Sequence, residues 1–524
     1  MTCPVGLPAL MVRSAERFPE RPFLTWRGES TVYRDAAEMM FRAGRALKNL
    51  DETTSGNGRI VLYLGNCPEA VYAWLGCQAV GLVPVTLNNG QRGDVLADML
   101  DRIGSSVVVT DRAGLARLRE AGAVDEHGAT LLTDQSEKGA PSFWEHLRNI
   151  SLEPDHKVVD PDPGSPASIL FSSGTTGRSK AVVVPHGMFD AGTARLMESW
   201  KVTEHDVFHS WAPYFHIAAQ MDVFGIAVRA GASVAMFEGF SLSQFWDQIR
   251  ACQATVFGGF VSILEMLYAA ESTSDDLNHN LRMGIAGHIP ASLRANFERR
   301  FGVHMVDAYG MSEAEPITAP SLDDDLPDGS CGRATSDFEV RIQDRNGDEL
   351  PFGELGQIVF RPLKPNVMMS GYLDDPDRTA RSWRDGWFQT GDLGRMDSEG
   401  RIYFAERMAD FIRVRGENVS PQEVESVLLA YPGIVEVGVV GIPSELGEHD
   451  IKAVVVVADG TDLSGLFQWS RQRMAKFMVP RYVQVVDALP RTETSKIKRE
   501  ELRKLVGDLE TESTLLRHWT ASRP

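Results

Sequence analysis

The sequence predicts an α/β protein, with a large N-terminal domain of layered α/β subdomains and a small mobile C-terminal α+β domain. Three observations predict it. Apolar runs of strand length alternate with helical patterns from residue 60 onward, and the texture of the chain changes near residue 410. The chain has 524 residues, more than one core serves at the usual ~100–200 residues per domain.

Each element follows from local pattern. The runs RIVLYLG (59–65) and VVVTD (107–111) read as buried strands. Between them PEAVYAWLGCQAVG (68–81) reads as a helix that proline starts and glycine stops. The rhythm continues through ASVAMF (232–237), ATVFGGF (254–260) and RMGIAG (282–287), which implies a mostly parallel sheet. After residue 410, Ser420 reads as an N-cap, with Pro421 at the first helical position and Glu423 closing a capping box. Val424, Val427 and Leu428 form that helix's apolar face, and Pro432-Gly433 ends it. The runs IVEVGVV, IKAVVVVAD and RYVQVVD then read as strands and LFQWSRQRMAKF as a helix. The expected division is 1–408 and 409–524, with no Gly/Ser linker, hence a hinge instead of a tether.

Composition narrows the function classes. A formal net charge of −19 argues against broad binding of nucleic acid or anionic membrane, so an anionic ligand needs local devices such as backbone amides, a metal or a few placed cations. Five scattered cysteines without a CxxC pair fit a reducing cytoplasm and offer no metal framework. The first twenty residues make a poor signal peptide, and no run approaches the ~18 apolar residues of a membrane span. The expected location is the cytoplasm.

The stretch FSSGTTGRSKAVVVPHG (171–187) has the look of a phosphate loop. It is not a Walker loop: Gly174 and Gly177 are only three apart, and a strand run follows in place of a helix. Ser172, Ser173, Thr175 and Thr176 would donate hydroxyls, and the two glycines would let amides turn inward. A surface hairpin turn is the bland alternative. A second stretch, DAYGMSEAE (307–315), packs an aromatic, a glycine, a hydroxyl and a carboxylate into one turn, a group able to stack a base and hold Mg²⁺ through Glu313. Asp392 stands in a Gly-Asp turn, Arg407 near the domain boundary, and Lys496 in the polar loop PRTETSKIKREEL.

Together, and with GELGQIVFRP and MMSGYLDDPDRTA between them, these motifs resemble the AMP-forming acyl-CoA synthetase family, in the adenylate-forming superfamily that includes luciferase and the adenylation domains of peptide synthetases. The resemblance spans most of the chain. It implies ATP, Mg²⁺ and coenzyme A as cofactors. Thr175, Thr176, Gly177 and Lys180 would clamp the β- and γ-phosphates, with Ser172 beside them. Tyr309 would lie on the adenine, with Gly287, Asp307 and Ala308 lining the nucleotide. Ser312 would touch the α-phosphate, Glu313 and Thr176 would hold the metal, and Asp392 with Arg407 would take the ribose. Lys496 would bridge the acid's carboxylate and the α-phosphate, stabilising charge that develops in the transition state. The small domain would then swing at Ala409 and bring Arg415, Gly416 and Glu417 to coenzyme A. The chain departs from the family in two places: Ala409 where Asp or Lys is usual, and Ser495 where glycine usually precedes the lysine.

Substrate identity is less legible. His216, in APYFHIAAQMDVFG, stands where amino-acid-activating relatives carry an aspartate for the amine, so the resemblance implies an acid without an α-amine. Ala218, Ala219, Gly258, Gly259, Gly284, Ala286 and Gly287 would leave room for a bulky or ring-containing apolar acid. The expected partners are a small carboxylic acid, ATP and CoA, in a monomer or homodimer. Two other readings stay open: transfer to a separate carrier protein or a stop at the adenylate, and a catalytically dead nucleotide-binding regulator.

Overall fold

The computed structural model describes residues 6–122, 129–133, 142–152, 157–172, 179–287, 289, 291–407, 412–419, 421–444, 448–490, 497 and 499–505. The chain divides into two compact units. One comprises Met1–Asn89, Leu100–Ser172 and Ala181–Glu406; the other comprises Gly90–Met99, Ser173–Lys180 and Arg407–Pro524. The expected hinge at Ala409 lies outside the described residues. Among them, no helix is long and apolar enough to cross a membrane.

The first unit contains two seven-stranded sheets. In one, the strands run His304–Val306, Met283–Ile285, Val256–Gly258, Val207–Ser210, Ser233–Met236, Pro22–Trp26 and Glu29–Val32. Every neighbouring pair is parallel except the last, an antiparallel hairpin. The other sheet runs Gly371–Tyr372, Lys180–Pro185, Pro166–Ser172, Val83–Thr86, Arg59–Tyr63, Val107–Thr110 and Ala129–Leu132. The sequence-predicted strands and helix fall where expected, with Pro68–Ala79 helical and Pro68 in its first turn. Eleven of that helix's twelve residues are buried, so it is apolar all round and packs as a core helix.

A third sheet of five strands is antiparallel and holds Phe338–Gln343, Gly356–Pro362, Trp383–Arg384, Trp387–Met396 and Ile402–Arg407. The Gly-Asp turn expected at Asp392 is instead inside the ten-residue strand Trp387–Met396. Gly391 there takes φ +76°, and the register to Gly356–Pro362 shifts nearby, a β-bulge that re-aims the following side chain.

The second unit builds its own core on a three-stranded sheet, Ile434–Pro443, His449–Val457 and Tyr482–Val485. The helix Pro421–Leu429 buries Val424, Val427 and Leu428 as its periodicity predicts, while its expected cap, Ser420, lies outside the described residues. The helical stretch after it is shorter than expected and ends at Arg473. Lys452 is buried on the central strand and donates to the carbonyls of Leu502 and Leu505 at 3.2 and 3.1 Å, which ties down the helix Arg499–Lys504.

Candidate active site

In an open parallel sheet, ligands bind beyond the carboxyl ends of the strands where the strand order reverses. In the first sheet the order reverses around Val207–Ser210, with Val256–Gly258, Met283–Ile285 and His304–Val306 stepping away on one side. Those three strands are in register, Gly258 opposite Ile285 and Ile285 opposite Val306. Their carboxyl ends therefore deliver Gly258-Gly259, Ala286-Gly287 and Asp307-Ala308-Tyr309 to one edge. The sheet thus gathers seven of the sequence-predicted site residues from three separate stretches of chain.

The turn after Asp307 is held rigidly. Tyr309 N donates to Thr318 Oγ1 at 2.8 Å, and Tyr309 O accepts from the amides of Ile317 and Thr318 at 3.0 and 2.9 Å. Asp307 is buried, and its Oδ2 accepts from Ile289 N at 2.8 Å. The hydroxyl of Tyr309 donates to Asp392 Oδ2 at 2.8 Å, joining the turn to the bulged strand 83 residues away. The Asp392 amide donates to Thr390 Oγ1 at 3.0 Å, which fixes the bulge from within. Phe404 lies beside the Tyr309 ring at 6.1 Å between centroids.

Glu313 is buried and accepts from the hydroxyl of Tyr372 at 2.8 Å; Ser312 beside it is half-buried. Burial, and then the neighbouring Glu313 charge, push the Tyr372 hydroxyl far above its ordinary value, so it stays a protonated donor. The Glu313 carbonyl accepts from Met369 N at 2.8 Å. Among the described residues no three His, Cys, Asp or Glu gather into a metal cage. A single buried carboxylate held by a phenol fits Mg²⁺, which keeps several waters and is usually bound by one or two carboxylates plus substrate phosphates.

Structure corrects one acyl-pocket expectation. Gly284 sits mid-strand between Phe257 and Met305, its cross-strand neighbours, and a methyl there would lie 2.5 Å from the Phe257 ring and 2.6 Å from Met305 Sδ. Its small size makes room for two core side chains, not for a substrate. Gly258 has nothing within 4 Å of such a methyl, and Gly259 and Gly287 meet only ordinary contacts at 3.7 Å or more, so these three border open space. His216 is half-buried and precedes a π-helical stretch, Ala219–Gly225. Ala218 is exposed and Ala219 buried. π-Helical turns inside helices often mark functional sites.

Ser172 ends the strand Pro166–Ser172 and Lys180 begins its neighbour, both half-buried, so the expected phosphate loop spans two adjacent strands. Thr175, Thr176, Gly177 and Lys496 lie outside the described residues. Arg407 closes the strand Ile402–Arg407. In the second unit, Arg415 and Gly416 form the two-residue turn between the paired strands Ile412–Val414 and Glu417–Val419, both with positive φ, +51° and +83°. The Gly416 amide donates to the Glu448 carboxylate at 2.9 Å.

Sequence reasoning missed four residues. Thr318 and Tyr372 position Tyr309 and Glu313, and both are separated from them in sequence with no local signal. Asp222 and Glu315 were inside the quoted motif stretches yet passed over. Burial raises both carboxyls above the ordinary range, and Glu315 is raised further by its proximity to Asp222.

Comparison with known proteins points the same way. Residues 11–373 match the family model described as AMP-binding enzyme, and residues 423–496 match the AMP-binding enzyme C-terminal domain. A crotonobetaine/carnitine–CoA ligase of Salmonella arizonae is 31% identical over 466 residues, covering 85% of this chain and 88% of that protein. The ligase of the same name from Escherichia coli O7:K1 is 32% identical with the same coverage. Among solved structures, a double mutant of o-succinylbenzoate CoA synthetase from Bacillus subtilis, bound with a product analogue, aligns with a TM-score of 0.82 at 25% identity, covering 95% of this chain and 99% of that one. ATP-bound MatB from Rhodopseudomonas palustris aligns at 0.68 and 26%, covering 95% and 98%.

Proposed function

The chain belongs to the AMP-forming acyl-CoA synthetase family and is an acid–CoA ligase that uses ATP, and on that footing we propose the following division of labour. A carboxylate oxygen of the acid attacks the α-phosphorus of ATP, giving an acyl adenylate and releasing pyrophosphate. The thiol of coenzyme A then attacks the acyl carbon, and AMP leaves. Tyr309 lies on the adenine, with Gly287, Asp307 and Ala308 lining it. Asp392 and Arg407 take the ribose, and Ser312 takes the α-phosphate. Glu313 and Thr176 hold Mg²⁺, which offsets charge on the phosphates when bound. Ser172, Thr175, Gly177 and Lys180 hold the leaving pyrophosphate, and Lys496 stabilises the transition state. Arg415, Gly416 and Glu417 receive coenzyme A after rotation at Ala409, between domains 1–408 and 409–524. The acid has no α-amine and an apolar, bulky body that enters past His216 toward Ala218, Gly258 and Gly259. Work in the cytoplasm agrees with five cysteines scattered along the sequence without a CxxC pair.

The observation that carries this reading is the convergence of three strand ends on a turn whose Tyr309 and Glu313 are each hydrogen-bonded to a distant partner, Asp392 and Tyr372. The S. arizonae and E. coli proteins are named crotonobetaine/carnitine–CoA ligases, which supports a small carboxylic acid as the substrate and coenzyme A as the acceptor. The test is ATP- and Mg²⁺-dependent pyrophosphate release over a panel of acids, with and without CoA. Release with thioester formation is expected. Release without thioester would move the acceptor to a carrier protein, and nucleotide binding without release for any acid would leave only the regulatory reading.

A further inference from the structure

Residues 211–216, which carry His216, lead from the strand Val207–Ser210 toward the π-helical stretch Ala219–Gly225 and belong to neither. Trp211 and Tyr214 on this path are buried. Buried backbone outside helix and sheet has to find its hydrogen-bond partners elsewhere. Here two side-chain amides supply them. Asn66 is buried in the loop between the strand Arg59–Tyr63 and the core helix Pro68–Ala79, and its Oδ1 accepts from Tyr214 N at 2.8 Å. Its Nδ2 donates to the carbonyls of Trp211 and Ala212, both at 3.1 Å, and to that of Phe237 at 2.9 Å, just past the strand Ser233–Met236.

Gln220, buried in the π-helical stretch, takes the other side of Tyr214. Its Nε2 donates to Tyr214 O at 3.2 Å and to Thr86 Oγ1 at 3.1 Å, and its Oε1 accepts from Ser168 Oγ at 3.3 Å. Thr86 and Ser168 stand on neighbouring strands of the second seven-stranded sheet, Val83–Thr86 and Pro166–Ser172. Tyr214 therefore has its N–H and its C=O each held by a side chain, and its ring lies edge-on to Trp74 and Phe224 at 5.8 and 5.5 Å between centroids. A carboxamide suits this task, since it offers donors and an acceptor in one plane, and each buried backbone group it serves would be costly to leave unpaired. His216 follows two residues on, its N donating to Pro213 O at 3.0 Å and its carbonyl accepting from Gln220 N at 3.2 Å.

We infer that Asn66 and Gln220 are positioning residues of the acyl pocket: by holding both sides of Tyr214 they set where His216 stands at the pocket mouth. This rests on the ligase reading and adds to it the residues that keep the acid's entrance in place. Both amides act through the backbone of the connection, so their loss displaces the acid and leaves the nucleotide end as it was. A misplacement of about 1 Å caused from a distance costs on the order of 10²-fold in rate.

The test uses the full chain and three variants. Asn66→Ala and Gln220→Met each delete one amide, and Thr86→Val, nearly isosteric, removes one partner of Gln220 and decides the matter if the other two fail to fold. Pyrophosphate release is followed on butyrate, octanoate, benzoate, cinnamate and cholate, with acid and ATP varied separately. For the best acid, kcat/KM should fall roughly 10²-fold in the amide variants. In Thr86→Val it should fall about 3- to 10-fold. KM for ATP should stay within about twofold in all three, a split that mere loss of stability does not produce. The His216 ring signal in the NMR spectrum of histidine-labelled protein, assigned with His216→Gln, gives a readout independent of turnover and should shift in each variant. Folded variants with unchanged kinetics toward the acids overturn the proposal, as does a loss shared equally by acid and ATP, and in both cases the ligase reading stands. A His216 signal that stays in place overturns it as well. If the parent releases pyrophosphate from none of these acids, it is the ligase reading that fails, and a shifted His216 signal still supports the positioning role.

Discussion

Replacing Tyr372 by phenylalanine deletes one oxygen and keeps the ring. That oxygen donates to Glu313 at 2.8 Å, and both residues are nearly inaccessible, 5% and 3% exposed. A hydrogen bond to a buried charged group contributes about 1.5–3 kcal/mol, and without it one lone pair of the carboxylate is left dry. At 1.4 kcal/mol per factor of ten, Tyr372→Phe should lower kcat/KM for Mg·ATP by about 10- to 150-fold. The phenol positions Glu313 and touches no substrate in this reading, so the loss should depend on metal. Raising Mg²⁺ should recover part of KM and little of kcat. The assay is pyrophosphate release as a joint function of ATP and Mg²⁺, on protein whose thermal transition confirms folding. A kcat/KM within twofold of the parent, or a loss that Mg²⁺ leaves untouched, would refute the claim that this bond sets the Glu313 carboxylate for metal.

Other consequences follow from the same geometry. His186 is buried, and its pKa is lowered by burial to about 4, so the folded protein resists a proton that the unfolded chain accepts near 6.5. The stability this preserves at neutral pH is lost as pH falls from 6.5 to 4, and the parent should lose up to about 3 kcal/mol more than His186→Gln in denaturant titrations at pH 7 and 4. Gly284→Ala should overpack the core by about 1–3 kcal/mol without altering the ranking of acids, whereas Gly258→Ala should spare stability and raise KM for bulky acids. Stability and KM measured on both variants check this, and the reverse pattern would restore Gly284 to the pocket. Lys496→Ala should abolish pyrophosphate release while leaving CoA attack on supplied acyl adenylate, and unimpaired adenylation would remove Lys496 from its role. Ala409→Pro should slow thioester formation more than adenylation, and equal losses would argue against a hinge there.

The parallel sheets were legible because strands buried on both faces read as unbroken apolar runs, as VVVTD does. The antiparallel strand Trp387–Met396 was not, since its residues mix buried and half-buried positions without a continuous apolar run and Gly391-Asp392 mimics a turn. For the same reason Asp392 was found by motif while its bulge was not. Glycines divide along similar lines. Gly258 and Gly284 look alike in sequence, but one ends a strand and the other lies mid-strand on a packed face, a distinction fixed by sheet register that no local pattern carries. Tyr372 lies 59 residues from Glu313, and only the fold brings its hydroxyl there.

A chain with net charge −19 that must gather ATP and a carboxylate has to decide which of its own acids stay ionised near them. Three of the site's acids have a donor supplied by the protein: Ile289 N for Asp307, the Tyr309 hydroxyl for Asp392 and the Tyr372 hydroxyl for Glu313. Each donor lowers the cost of a buried negative charge while fixing where the carboxylate points, which suits groups that must meet hydroxyls or a metal already ionised.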